Sequence, residues 1–445
     1  MSDQWLVICY FFLQFSHVLL TDISAVIAFL PMLLVFELPL SLLVLLGIGR
    51  WYWRKQQESR KEKTHYVPFV SCGITCYSEG EDIKKTILTL CEQVYSGHIE
   101  IIAVIDGASV NKHTYQAALE CQQMVSRYPQ RHLVILPKWQ RGGRVSSLNA
   151  ALNIAKGELF FALDGDTSFD NDMVSHITKE FIDPNVPAVG GSLRVRNDKV
   201  SLVSRMQAME YMISLQGAKT GLAEWNVINN ISGAFGAFRT QFIRRIGGWD
   251  THSAEDLDIT LRIKQYMARH PGLRIPFAAH AMGHTDAPTT AKVLFMQRIR
   301  WDGDLYFLYL RKHKHGLSPK LLGWKNYIFT VMYGVLQNIL LPYLVIFYNI
   351  WLFLNFPAGV VLAGFAIQYF CYLFFTTLHF LVFFLAISER PKQDLYYFKW
   401  LPVYPLYSFV MRIVNAAAVL NEVIRRGHEE SNMAPWWVLK KGKRF

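Results

Sequence analysis

From Asn326 to Ser388 the chain carries no Asp, Glu, Lys or Arg. A helix crossing a bilayer takes about 20 apolar residues, so this run predicts two membrane spans joined near Pro357-Ala358-Gly359; the alternative, a buried core helix, needs far fewer. At the other end Gln4 to Thr21 is uncharged, and Ile23 to Gly49 contains only Glu37. Two further spans are expected there. A cleaved signal peptide competes for the first, but the segment lacks a basic leading region and an A-x-A-like site, so it reads as retained. With 445 residues and 52% hydrophobic composition, the chain is too apolar for an ordinary soluble enzyme and too charged in its middle for a plain bundle of spans.

Basic residues flank both apolar ends: Arg50, Arg54, Lys55, Arg60, Lys61 and Lys63 on one side, Arg311, Lys312, Lys314, Lys320 and Lys325 on the other. The positive-inside tendency then puts both flanks, and all that lies between them, in the cytosol. The cysteines suit a reducing compartment: Cys9 and Cys371 fall in expected spans, while Cys72, Cys76, Cys91 and Cys121 have neither zinc spacing nor a disulfide framework. A net charge of +12 gathered at membrane borders points to anionic lipid, not to nucleic acid. The segment Leu395 to Val423 is apolar but interrupted by Lys399, Pro402, Pro405 and Arg412, and either spans or re-enters. The expected division is 1–50 (two spans), 51–286 (cytosolic domain), 287–325 (interfacial helices), 326–424 (two or three spanning or re-entrant segments) and a basic tail over 425–445.

In the middle, the apolar run Phe69 to Thr75 closes at Tyr77-Ser78-Glu79-Gly80, and Ile83, Ile87, Leu90 and Val94 then recur at helical spacing. The pattern repeats: Ile99 to Ile105 ends at Asp106-Gly107, His132 to Leu136 at Pro137, Leu159 to Leu163 at Asp164. Alternating strands and helices predict an α/β, Rossmann-like, mostly parallel sheet inserted between the membrane helices. Ligands of such sheets bind beyond the carboxyl ends of the strands, where Tyr77, Asp106 and Asp164 fall. Arg141-Gly142-Gly143-Arg144 opens a helix over Val145 to Ala155, bringing backbone donors and guanidinium groups to one point where a diphosphate fits.

Three clusters carry chemistry. Asp164-Gly165-Asp166 offers two carboxylates at a strand end, suited to Mg²⁺ or Mn²⁺. Glu255-Asp256 follows His252-Ser253 and reads either as an acidic helix start or as a base, and the two readings are compatible. Gln297, Arg300 and Trp301, at i, i+3 and i+4, share a helix face that serves a diphosphate and a sugar ring or simply marks the membrane interface. His280 and His284 are four apart, but no third metal ligand is apparent and they are read as loop or interface residues.

These clusters, with QRIRW over Gln297 to Trp301, resemble in order and spacing the membrane-integrated family 2 glycosyltransferases, which include cellulose, chitin, hyaluronan and poly-N-acetylglucosamine synthases. The likeness covers about Pro68 to Trp301. It implies a GT-A fold and an inverting single displacement in which Tyr77, Glu79 and Asp106 help hold the nucleotide, Asp164 and Asp166 position metal and diphosphate, and Asp256 is the general base. It further implies that Glu255 orients its neighbour or the acceptor, Arg300 meets the donor diphosphate, and Gln297 and Trp301 serve the acceptor. Arg144 stands where a lysine is common in the family, Ala254 where Thr often precedes Glu-Asp, and Asp106 is one acid where many members have two. Gly233 to Gly236 is expected beside the acceptor entrance, and Arg205 to Leu215 as an amphipathic helix near the membrane.

The expectation is a bacterial inner-membrane enzyme with a cytoplasmic catalytic domain, extending a β-linked polysaccharide from a nucleotide sugar, UDP-linked by the resemblance. Expected partners are that donor, a polysaccharide or lipid acceptor, membrane lipids, and export or accessory subunits. The alternatives are a non-processive transferase acting on a lipid, and an inactive membrane scaffold that keeps a nucleotide-binding fold.

Overall fold

The computed structural model describes residues 30–58, 66–430 and 434–435, with Tyr10, Leu13, Gln14, His17 and Thr21. Most of the first expected span and most of the basic tail lie outside the described residues.

Eight strands form one mixed sheet: β1 (Val70–Cys76), β2 (Ile99–Asp106), β3 (Arg131–Lys138), β4 (Leu159–Asp164), β5 (Ser168–Phe169), β6 (Ala188–Val195), β7 (Phe235–Arg239) and β8 (Phe277–Thr285), in the order β3-β2-β1-β4-β7-β6-β8-β5. β1 and β2 are buried along their whole length, as near-continuous apolar runs covered on both faces by helices should be. β1, β2, β3 and β4 run parallel, and Thr75 is level with Asp164 and Cys76 with Ile105, so Tyr77, Asp106 and Asp164 emerge at one sheet edge. The winding reverses at β7, which pairs antiparallel with both β4 and β6.

The helices that shape the site are α1 (Leu33–Glu58), α2 (Asp82–Cys91), α3 (Arg144–Ile154), α4 (residues 202–224), α5 (Glu255–Arg269) and α6 (Ala291–Tyr306). In α2 the stripe Ile83, Ile87, Leu90 is fully buried, but Val94 is exposed because the helix stops at Cys91. Among the described residues four helices are long and apolar enough to cross a bilayer: α1, α7 (Pro319–Asn355), α8 (Ala358–Ala386) and α9 (Pro391–Arg425). This is the make-up of an integral membrane protein.

The membrane helices are fastened to the sheet domain. α1 touches α4 backbone to backbone at Gly47 and Gly221, Trp225 Nε1 donates to the Leu43 carbonyl at 2.8 Å, and Arg54 pairs with Glu224 at 2.5 Å. At the start of α9, Asp394 takes both terminal nitrogens of Arg194 at 2.6 and 2.8 Å, and Tyr397 donates to Asp198 at 2.6 Å. The first turns of α9 therefore dock on the domain, and Arg205 of α4 sits over the Trp400 ring at 4.5 Å. The segment Arg205 to Leu215, expected as an amphipathic helix near the membrane, lies within α4 and packs beside these membrane helices. The charges that interrupt two apolar segments, Glu37 and Arg412, pair with each other.

Candidate active site

Local structure aims each cluster at one place. β4 delivers Asp164, and the turn after it leaves Asp166 exposed. A Cβ on Gly165 would sit 2.9 Å from the Thr75 carbonyl oxygen, so only glycine lets the acidic turn lie against β1. Ala254, in the left-handed region at φ +54°, turns the chain sharply into α5, so that Glu255 and Asp256 form its first turn. That conformation costs about 1–2 kcal/mol for a non-glycine residue and is a form of strain found at functional sites. α6 places Gln297, Arg300 and Trp301 on one face.

These elements close around a cavity of about 500 Å³, whose wall includes Arg144, Asp164, Asp166, Glu255, Asp256, Gln297, Arg300 and Trp301. Tyr77, Glu79 and Asp106 are not part of that wall. Glu79 packs against Gly165, with one carboxylate oxygen buried and unpartnered, and burial raises its pKa. Tyr77 lies under the Arg141 guanidinium at 3.8 Å. Asp106 is buried and accepts from Lys138 Nζ at 2.7 Å and from the amides of Gly142 and Gly143 at 2.8 Å each. The loop amides that looked free for a diphosphate are therefore spent on Asp106, which fastens the loop and so positions Arg144.

Arg144 is the hub. Its Nη1 donates to Asp164 and, at 3.1 Å, to Thr75 Oγ1, and its Nη2 donates to the Gly233 carbonyl at 2.5 Å. Its Nε lies 2.7 Å from Glu255, an ion pair by distance whose angle falls short of a hydrogen bond. One guanidinium thus ties the strand end, the helix start and the 233 loop together. Burial pushes the Glu255 carboxyl above its ordinary range, against the pull of Arg144. Asp256 accepts from Asn230 Nδ2 at 2.6 Å and from the Leu257 amide at 2.8 Å.

On α6, Gln297 has a buried, unpartnered Oε1, and Arg300, which forms no ion pair among the described residues, acts on Glu255 and Asp304 through its charge alone. A guanidinium with its donors free, facing a cavity, suits a phosphate-bearing ligand. Residues 71–247 match the family model described as glycosyl transferase family 2.

The chain carries a glycosyl transferase family 2 domain. It is 25% identical over 369 residues to the poly-beta-1,6-N-acetyl-D-glucosamine synthase of Staphylococcus epidermidis, covering 81% of this chain and 84% of that protein. It is 26% identical over 301 residues to the synthase of the same name from Staphylococcus aureus (strain COL), covering 67% and 68%. Its fold is similar to that of a mannosyltransferase from Pyrobaculum calidifontis in complex with GDP-Man and Mn2+, at TM-score 0.52 and 17% identity, covering 87% of this chain and 99% of that one. The sheet domain is GT-A-like.

The glycosyltransferase offers a divalent cation the oxygens of Asp164 and Asp166, on one cavity wall, with the orphaned Glu79 oxygen beside their glycine. Among the described residues no three His, Cys, Asp or Glu side chains gather into a closed metal cage. Two carboxylates with the remaining positions left to phosphate and water suit Mg²⁺ or Mn²⁺, so the residues fit the ion. His284 instead pairs with Asp170 at 2.9 Å, and His280 stacks on Trp51.

Several residues in and behind the cavity wall carried no motif signal. Arg298 packs on the Trp301 ring at 5.0 Å and pairs with Glu210 of α4 at 2.7 Å, and Tyr407 of α9 donates to the same carboxylate at 2.7 Å. Asp302 and Asp304 line the cavity itself, and burial pushes each up to about 7.

Proposed function

We propose that this glycosyltransferase moves a sugar from a UDP-linked donor to a growing β-linked polysaccharide, by an inverting, metal-dependent single displacement at the cytoplasmic face of the bacterial inner membrane. The observation carrying this reading is the single cavity that contains Asp164, Asp166, Glu255, Asp256, Arg300 and Trp301. The named activity of the staphylococcal relatives supports a polymer and makes N-acetylglucosamine the first donor to try. The GDP-Man and Mn2+ of the archaeal neighbour support a nucleotide sugar and a divalent ion. The sheet domain over 51–286 is taken as cytosolic, from the basic residues that border the spans.

Asp256, held by Asn230 and the Leu257 amide, takes the proton of the acceptor hydroxyl. The freed oxygen bonds to the anomeric carbon as that carbon's bond to the diphosphate breaks, and the nucleoside diphosphate leaves. Arg300 meets its negative charge, Trp301 stacks on the acceptor ring, and Gln297 donates to or accepts from that sugar. Asp164 and Asp166 would hold a divalent cation, which would supply Lewis-acid neutralisation of the diphosphate. Glu255, held by Arg144, steadies its neighbour.

The test is transfer by the full chain in nanodiscs, with UDP-N-acetylglucosamine and Mn²⁺ or Mg²⁺, scored for labelled polymer. Asp256→Asn should lower turnover roughly 100- to 10,000-fold, the share of a general base, with metal-dependent UDP binding intact. Asn fits because Asn230 can turn its own amide to meet it. Label confined to a single-sugar lipid would favour the non-processive alternative. Loss of UDP binding in Asp256→Asn would contradict the base assignment.

A further inference from the structure

Lys219 opens the last segment of α4, directly after the π-helical stretch Tyr211–Ala218, and lines the catalytic cavity beside Tyr211 and Leu215 of the same helix. It is only 6% exposed. Among the described residues its ammonium has neither a hydrogen bond nor an ion pair; the charge it feels most is that of Asp256. A charge with no partner on an almost wholly buried side chain that opens only to the cavity is costly for a fold to hold, and a Met of the same length would pack without that cost. π-helical turns also recur at functional sites.

The chemistry of the wall narrows the ligand. Glu255, Asp256, Asp302 and Asp304 present oxygens that accept hydrogen bonds from sugar hydroxyls, so an anionic sugar would meet carboxyl groups on several sides. The oxygens of a neutral sugar need a donor in return. Arg144 is engaged by Asp164 and Gly233, and Arg300 is assigned to the diphosphate. The remaining cation is Lys219, on the wall that also holds the base.

We propose that Lys219 is a sugar-binding residue, its ammonium donating to a neutral oxygen, a ring hydroxyl or an acetamido carbonyl, of the acceptor sugar that faces Asp256. This rests on the transferase reading above. Lys219 then selects a neutral, oxygen-rich acceptor and holds its reactive hydroxyl toward the carboxylate. Burial pulls the amine down to about 8, so at neutral pH it still carries its proton as a donor.

The experiment uses the full chain in nanodiscs, UDP-N-acetylglucosamine as donor, and a β-linked N-acetylglucosamine oligosaccharide as primer. Lys219→Met should raise the primer KM roughly 10- to 100-fold, the worth of a hydrogen bond from a charged donor, while the UDP Kd stays within about twofold. Its melting temperature should equal or exceed that of the wild type, because an unpaired buried charge is gone. Lys219→Gln, a neutral donor, should recover part of the primer KM. An unchanged primer KM in Lys219→Met would overturn the proposal. So would a lower melting temperature in Lys219→Met combined with a wild-type primer KM in Lys219→Gln, since Lys219 would then be structural. A wild-type chain that turns over no donor would instead sink the transferase reading, and this proposal with it.

Discussion

Replacing Gly47 by Ala asks how far the membrane helices shape the catalytic cavity. A Cβ there would lie 2.2 Å from the Gly221 carbonyl oxygen and 2.7 Å from its carbonyl carbon, both rigid backbone atoms of α4. Ordinary contact begins near 3.4 Å, so α1 and α4 must part by about 1.2 Å. The Trp225 to Leu43 hydrogen bond, 2.8 Å long, would then stretch to about 4 Å, beyond useful reach. Overpacking of this kind costs about 1–3 kcal/mol, and the lost hydrogen bond adds about 1 kcal/mol. The displaced helix carries Leu215 and Lys219 of the cavity wall, and a misplacement of about 1 Å can lower turnover on the order of 100-fold. Gly49 on the same helix is the control, since a Cβ there meets nothing within 4 Å. Purified chains in nanodiscs should give a lower melting temperature and at least tenfold weaker transfer for Gly47→Ala, and wild-type behaviour for Gly49→Ala. Equal melting and turnover in the two variants would refute the reasoning.

Two more perturbations address α6. Arg298→Ala leaves Glu210 half-buried with only Tyr407 donating to it, and should destabilise the chain by about 3 kcal/mol or more while raising the primer KM more than the UDP Kd; a wild-type melting curve would count against the clamp on Trp301. Asp302 has a folded-state pKa raised to about 7 by burial, so as pH climbs from about 4 to 7 the unfolded chain loses this proton before the folded one does, and stability falls. Asp302→Asn should therefore melt higher than the wild type at pH 8, with a much smaller gain at pH 5; a gain independent of pH would contradict burial as the cause.

Much of this protein is legible locally. An uncharged run long enough for two spans has no other apolar refuge, and apolar stretches ending at Asp106 and Asp164 reveal strands whose parallel register brings their ends to one edge. The i, i+3, i+4 spacing of Gln297, Arg300 and Trp301 is itself a statement about one helix face. These features persist because periodicity and turn chemistry act within a few residues. Val94 shows the limit of even that logic: the stripe continued on paper, but the helix had already ended.

What the linear order hides is which charges find each other. Asp106, read from the sequence as a nucleotide ligand, also anchors the 142–143 loop, because two amides and a lysine reach it. Arg298, anonymous inside QRIRW, meets Glu210 across 88 residues, and Glu210 meets Tyr407 across 197. Glu37 and Arg412, the awkward charges of two apolar segments, neutralise one another across 375. No local pattern encodes such pairings, since the energy that selects them arises only once packing has stripped water from both partners. For the same reason an unpartnered Lys219 carries information that the letter K alone does not.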